Sequence, residues 1–243
     1  MHCAQAQAGF MITYAGNSTD STLSGASATA FFNFGLATPD EVGRRSIEVT
    51  ISNTSESLTN VPLTSSFLTG LAFDTPAFGE SSVVFDNSSY VGTSELGNVV
   101  SPDVAFNPFT AGGAPEFDIA FTDGSNIQGG GQPIDGLAMG DTITVSIEFT
   151  FYPVFETGAV DTSPSPTDIE AMFRAGFADG SLRTAVRFKA INPGGGSDKI
   201  LGGPPTDPPT GDPPGMVPEP SSFAIFAALG LCGVASRRRR RVS

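Results

Sequence analysis

The chain has 243 residues, with 25 Asp and Glu against 12 Lys and Arg, a formal net charge of −13 and one histidine. So acidic a surface repels nucleic acid and anionic lipid. With His2 alone there is no material for Ser-His-Asp or Cys-His triads, or for most zinc and copper sites. Cys3 and Cys232 sit near opposite ends, so the body between them has no disulfide to lean on. There are twenty Phe and no Trp, which makes Phe the main aromatic of the core.

Ala4-Gln5-Ala6 and Ala6-Gln7-Ala8 match an A-x-A signal-cleavage pattern, but the apolar run that should precede them is missing. Residues 1–9 therefore read as the remnant of a signal peptide whose start lies upstream, or as a disordered N-terminus. From there the apolar period is two rather than 3.6. Candidate strands are 28–34, then 46–52, where Ile47, Val49 and Ile51 alternate with Glu48 and Thr50. Next come 67–73, 82–85 and 116–121, the last expected to put Phe117, Ile119 and Phe121 on one side. The clearest is 142–151, where Ile143, Val145, Ile147, Phe149 and Phe151 alternate with polar residues. One helix is expected over 167–177, capped by Asp168, with Ile169, Met172 and Phe173 on one face. A last strand covers 184–191. Turn-forming tracts such as Asn53-Thr54-Ser55 and Asp123-Gly124 separate these segments.

Many short alternating strands with one helix predict an all-β fold, an antiparallel β-sandwich with a jelly roll as variant, over residues 10–201. Residues 202–216 hold six prolines and read as an extended linker.

Chemistry in the body is sparse. Gly129 to Gly131 opens no helix, and Gly194 to Lys199 lacks the spacing of a phosphate loop. Glycoside hydrolysis needs two carboxylates across a cleft; Glu48, Glu148, Glu116 and Asp118 are the available acids, on polar strand faces where solvated charge is the plainer reading. A calcium site could use Asp118, Asp123, Ser125 and Asn126, oxygen donors near a glycine turn, although their spacing is not that of an EF-hand. Asn17, Asn53 and Asn87 begin N-x-Ser/Thr sequons and read equally as turn residues.

The last 27 residues, 217–243, carry the most specific pattern. Val217, Pro218, Glu219 and Pro220 precede an apolar stretch from Ser221 to Ser236, then Arg237, Arg238, Arg239, Arg240 and Arg241. Guanidinium groups resist transfer through lipid, which keeps such a cluster on the cytoplasmic side. Phe223 to Ala235 is short of the about 20 apolar residues of a stable span, which suits transient retention better than permanent anchoring. This arrangement resembles the PEP-CTERM sorting domain, with Pro218-Glu219-Pro220 as its motif. The resemblance implies export and processing near that motif by an exosortase, with the inner membrane as a transient partner and exopolysaccharide as a surrounding one. Phe67 to Asp74, and Val186 to Lys199, are similar to stretches in β-rich domains that precede such tails. The expectation is therefore an exported, non-enzymatic surface or matrix protein that needs no cofactor. Its rivals are a carbohydrate- or calcium-binding module, a carboxylate-based polysaccharide-degrading enzyme, and an unprocessed membrane-anchored protein.

Overall fold

Alternation of apolar and polar side chains becomes antiparallel sheet wherever one face can be buried. The computed structural model describes residues 9–16, 24–36, 43–57, 63, 65–78, 82–128, 135–152, 163–191 and 196–208. These form β1 (Gly9–Tyr14), β2 (Ala28–Leu36), β3 (Arg44–Asn53), β4 (Phe67–Phe73), β5 (Ser82–Val91), β6 (Asn98–Val100), β7 (Ile119–Thr122), β8 (Leu137–Ala138), β9 (Thr142–Tyr152), α1 (Pro166–Asp179), β10 (Thr184–Ile191) and β11 (Gly196–Leu201). The first sheet runs β1-β2-β3-β9-β5 and the second β11-β10-β4-β7-β6, with β8 also beside β4. Every pairing between these strands is antiparallel.

One apolar core lies between the sheets. β3 contributes Ile47, Val49 and Ile51, and β9 contributes Val145, Ile147, Phe149 and Phe151, all buried as their alternation predicts. β4, β7 and β10 answer with Leu71, Phe73, Phe121, Val186 and Phe188. Phenylalanine rings bridge the layers: Phe32 of β2 meets Phe73 of β4 edge-on with centroids 5.4 Å apart, and Phe73 reaches Phe121 at 5.7 Å. Tyr14 of β1 crosses to β10, where its hydroxyl meets the Thr184 hydroxyl at 2.7 Å, and Thr184 in turn donates to the Ala72 carbonyl. Complete burial pushes the Tyr14 hydroxyl pKa up, outweighing that hydrogen bond.

Helix α1 packs the stripe Ile169, Phe173 and Phe177 into the same core. Phe173 meets Phe34 at 5.1 Å and Phe73 at 6.4 Å. The expected cap moves by three residues. Ser165 is the N-cap, Pro166 follows it, and Asp168 is the reciprocal partner of a capping box. Ser165 Oγ accepts from the Asp168 N–H, while the Asp168 carboxylate accepts from the Ser165 N–H and hydroxyl. Gly180 ends the helix at φ 77°, a left-handed conformation that glycine adopts without strain. Ser165→Ala is expected to cost about 1 kcal/mol, read as a lower urea midpoint. The Ser165 donors hold the Asp168 carboxyl below its usual range. A depressed pKa contributes stability above about pH 4 that is lost as pH falls below it, so this variant should also show a shallower acid limb in its stability profile.

Phe117 departs from expectation. It does not join Ile119 and Phe121 but lies with Val104, Phe106 and Ile127 on the outer face of the second sheet. The chain bends at Asp118, and Phe117 pairs instead with Val104 in an isolated bridge. Ala185, Ala72 and Ala120 lie side by side across β10, β4 and β7, and Phe106 and Phe117 share a buried cluster with them. Three small side chains in register leave room for the two rings, which would not fit over larger residues.

The C-terminal boundary also differs from the linker expected at 202–216. Two compact units divide at 208, as 1–208 and 209–243, and the second lies outside the described residues. Gly202 still donates to Thr184 of the second sheet (2.8 Å), whereas Gly203 donates to Thr13 of the first (2.9 Å). Thr206 then exchanges both backbone hydrogen bonds with Met11. The chain changes sheets between two glycines and continues as a strap along β1; prolines flank Thr206 without removing the N–H it needs. A Cβ at Gly202 would sit 2.5 Å from Thr184 Cγ2 and 2.7 Å from Ile12 Cγ2. Gly202→Ala is expected to destabilise by about 1–3 kcal/mol, checked by thermal and urea unfolding.

Candidate functional site

The four oxygen donors named for calcium straddle β7. Asp118 precedes the strand, and its Oδ2 accepts from the Thr75 N–H and hydroxyl, both at 2.6 Å, tying down the loop that leaves β4. Asp123 follows the strand, its N–H donating to the Thr69 carbonyl at 3.1 Å. The four residues of β7 lie between them, and five steps of extended chain span about 16 Å, so one ion cannot take both carboxylates. Ser125 and Asn126 are exposed in the turn beyond Asp123. The turn is held instead by Thr122, which pairs with Gly124, and by Arg187, which donates to the Ile127 carbonyl. Among the described residues no three His, Cys, Asp or Glu side chains converge as a metal site.

The acids considered for glycoside hydrolysis fall on different surfaces. Glu48 and Glu148 lie diagonally on the outer face of the first sheet, where Glu48 opposes Ser146 and Glu148 opposes Ser46. Arg44 reaches Glu148 at 2.5 Å and Asp86 at 3.3 Å. Glu116 and Asp118 belong to the segment beside the second sheet. That outer face of the first sheet is hydroxyl-rich: Thr50 and Thr144 share a hydrogen bond across β3 and β9 (2.9 Å), as do Ser52 and Thr142 (2.8 Å).

Two polar pairings had no warning in the sequence. Asp74 directly follows β4 and Arg183 directly precedes β10, so pairing of Phe73 with Thr184 sets them opposite each other. Arg183 Nε and Nη2 grip Asp74 at 2.8 and 3.1 Å, and the same guanidinium donates to the carbonyls of Phe109, Pro115 and Glu116. It also covers the Phe117 ring at 4.4 Å. The second centre is Asp123 with Lys189 of β10, whose Nζ lies 3.9 Å from Asp123 Oδ2. These side chains are 3 % and 11 % exposed.

An open cavity of about 190 Å³ lies between Phe177, Leu182, Leu201 and Gly202. Arg183 is its one charged wall residue and is already committed to Asp74. Asn53 is buried, with its amide donating to Ser66 and Leu137, which removes it as a glycan acceptor in the folded chain. Val217 to Pro220 and Arg237 to Arg241 lie outside the described residues, as do Asn17 and residues 1–8. Among the described residues no helix is long and apolar enough to cross a membrane.

Compared with protein-family models, with curated proteins and with solved structures, the chain finds no significant match.

Proposed function

We propose that this is an exported protein of the cell surface or extracellular matrix, sorted and processed by an exosortase through its C-terminal tail. The observation that carries this reading is the order of three parts at the end of the sequence: Pro218-Glu219-Pro220, the apolar stretch Ser221 to Ser236, and Arg237 to Arg241. Each has a physical task. The apolar stretch enters the inner membrane, the arginines stop it, and Val217 to Pro220 presents the bond region to the enzyme.

The body is a β-sandwich in this reading, and its role is structural or adhesive rather than catalytic. Its acidic surface suits solubility outside the cell. A second reading, a carbohydrate-binding module, draws support from the hydroxyl pairs Thr50–Thr144 and Ser52–Thr142, which offer donors and acceptors to polysaccharide on an open sheet face.

Intact-mass measurement of the native protein, purified from its own cells, tests the proposal. A mass ending near Pro220 supports sorting, and replacement of Pro218, Glu219 and Pro220 by alanine should then leave the tail attached. A native mass that retains Ser221 to Ser243 would make the tail a plain anchor and remove the exosortase from the account.

A further inference from the structure

The Asp123–Lys189 pair is poorly built as an ion pair. At 3.9 Å the ammonium is beyond hydrogen-bond reach of Asp123 Oδ2, and that oxygen is buried with no hydrogen-bond partner. An unsatisfied buried carboxylate oxygen is costly, and folds remove such groups or give them a partner. The two residues are nevertheless held firmly toward each other. Asp123 is fixed at the end of β7 by its N–H to Thr69. Lys189 is fixed in β10 by its pairing with Phe67 of β4. β4 lies between them, with a register shift opposite Arg187 and Phe188 that leaves Thr69 as the extra residue.

We propose that Lys189 and Asp123 join covalently, as an intramolecular isopeptide bond that staples β7 to β10 across β4. The reaction is a condensation. A proton passes from the ammonium to the carboxylate, giving a neutral amine and a carboxylic acid. The amine nitrogen of Lys189 attacks Cγ of Asp123, a C–N bond forms, a C–O bond breaks, and the departing hydroxyl takes one amine proton and leaves as water. Nothing is oxidised or reduced, and no co-reactant is required.

Physical chemistry favours this step here. In free solution, amide formation from an amine and an acid is held back by water and by the entropy of encounter. Groups that packing brings into a near-attack geometry gain effective molarities of roughly 10⁵–10⁸ M, and here the fold holds Lys189 Nζ 3.9 Å from Asp123 Oδ2. The near-complete burial of both side chains excludes the water that would reverse the reaction. The site shifts both groups toward their reactive neutral forms. Burial pushes the Asp123 carboxyl pKa up, the Lys189 and Arg187 cations pull it partly back, and the Asp135 charge pushes it up again. Burial pushes the Lys189 amine pKa down, Asp123 opposes this, and Arg187 adds to it. The product amide carries no charge and spares the fold a buried ion pair.

The test uses the folded full chain, with intact mass and a chymotryptic map. Phe121 precedes Thr122-Asp123, and Phe188 precedes Lys189, so the protease frees both segments close to the bond. The expected result is a mass lower by one water than the unmodified chain and a branched peptide joining the Thr122 segment to the Lys189 segment. Lys189→Arg, which keeps the charge, and Asp123→Ala should both return the full mass. Two results overturn the proposal. One is a pair of unbranched peptides at full mass. The other is loss of water without the branch, the signature of a cyclic imide at Asp123-Gly124. The unsubstituted protein decides the question by itself, whether or not the variants fold.

Discussion

Removing the Arg183 side chain, as Arg183→Ala, is expected to cost about 3–5 kcal/mol of folding stability. The loss is large because the residue does several things at once. It neutralises Asp74, which is mostly buried, through two charge-assisted hydrogen bonds. It satisfies carbonyls of Phe109, Pro115 and Glu116, and it stacks over Phe117. Alanine leaves the Asp74 charge stranded and releases the segment that covers the outer face of the second sheet. Arg183→Lys should recover less than half of the loss, since an ammonium cannot reproduce the planar fork. Arg44→Ala is the contrasting case. Its pairs with Glu148 and Asp86 are more exposed, so the expected cost is under about 1 kcal/mol. Urea unfolding of the three variants, compared at equal m-value, checks the ranking.

Phe73→Ala is expected to cost about 3–5 kcal/mol, from lost transfer energy and the cavity left behind. Phe73 is fully buried and touches all three layers of the core: Phe32 in the first sheet, Phe121 in the second and Phe173 on α1. Neighbouring elements cannot all collapse toward one void, which puts this site at the upper end of the range. Phe151→Ala, near the end of β9 and with ring contacts among the described residues to Phe78 and Phe149, should cost less. Calorimetric unfolding of both variants would show the order, and equal losses would mean that Phe73 does not link the layers.

Strands β3 and β9 were legible because their alternation is strict and each has one wet face; β4 and β10 were legible as well, to the residue. Helix α1 was recognised from its apolar face, but the cap was assigned to Asp168 because an acid in the first turn resembles an N-cap. The box needs both residues, and Ser165 followed by Pro166 was the missed signal. Strand β1 was missed because Gly-Phe-Met-Ile-Thr-Tyr follows the Ala-Gln segment with barely an alternation to mark it. Strand β11 was missed because it turns Asp198 inward opposite Phe188, where the Ser24 hydroxyl satisfies it. A buried acid on an edge strand inverts the pattern that sequence reading relies on. The Asp74–Arg183 and Asp123–Lys189 centres depend on which strands pair and in what register, and that information is not local. The proposed sorting motif is the reverse case: it rests on order along the chain rather than on packing.

The strap has a colloidal consequence. β1 is the rim of the first sheet, and a bare rim strand offers its N–H and C=O groups to any other copy of the molecule. Residues 203–206 occupy those groups at Met11 and Thr13. Pro204, Pro205 and Pro208 have no N–H to pass the pattern outward. The same few residues that leave the sheet thus block its growth at the β1 rim. A chain cut after Leu201 would lose that guard, and self-association through β1 should appear in light scattering at concentrations where the longer chain stays monomeric.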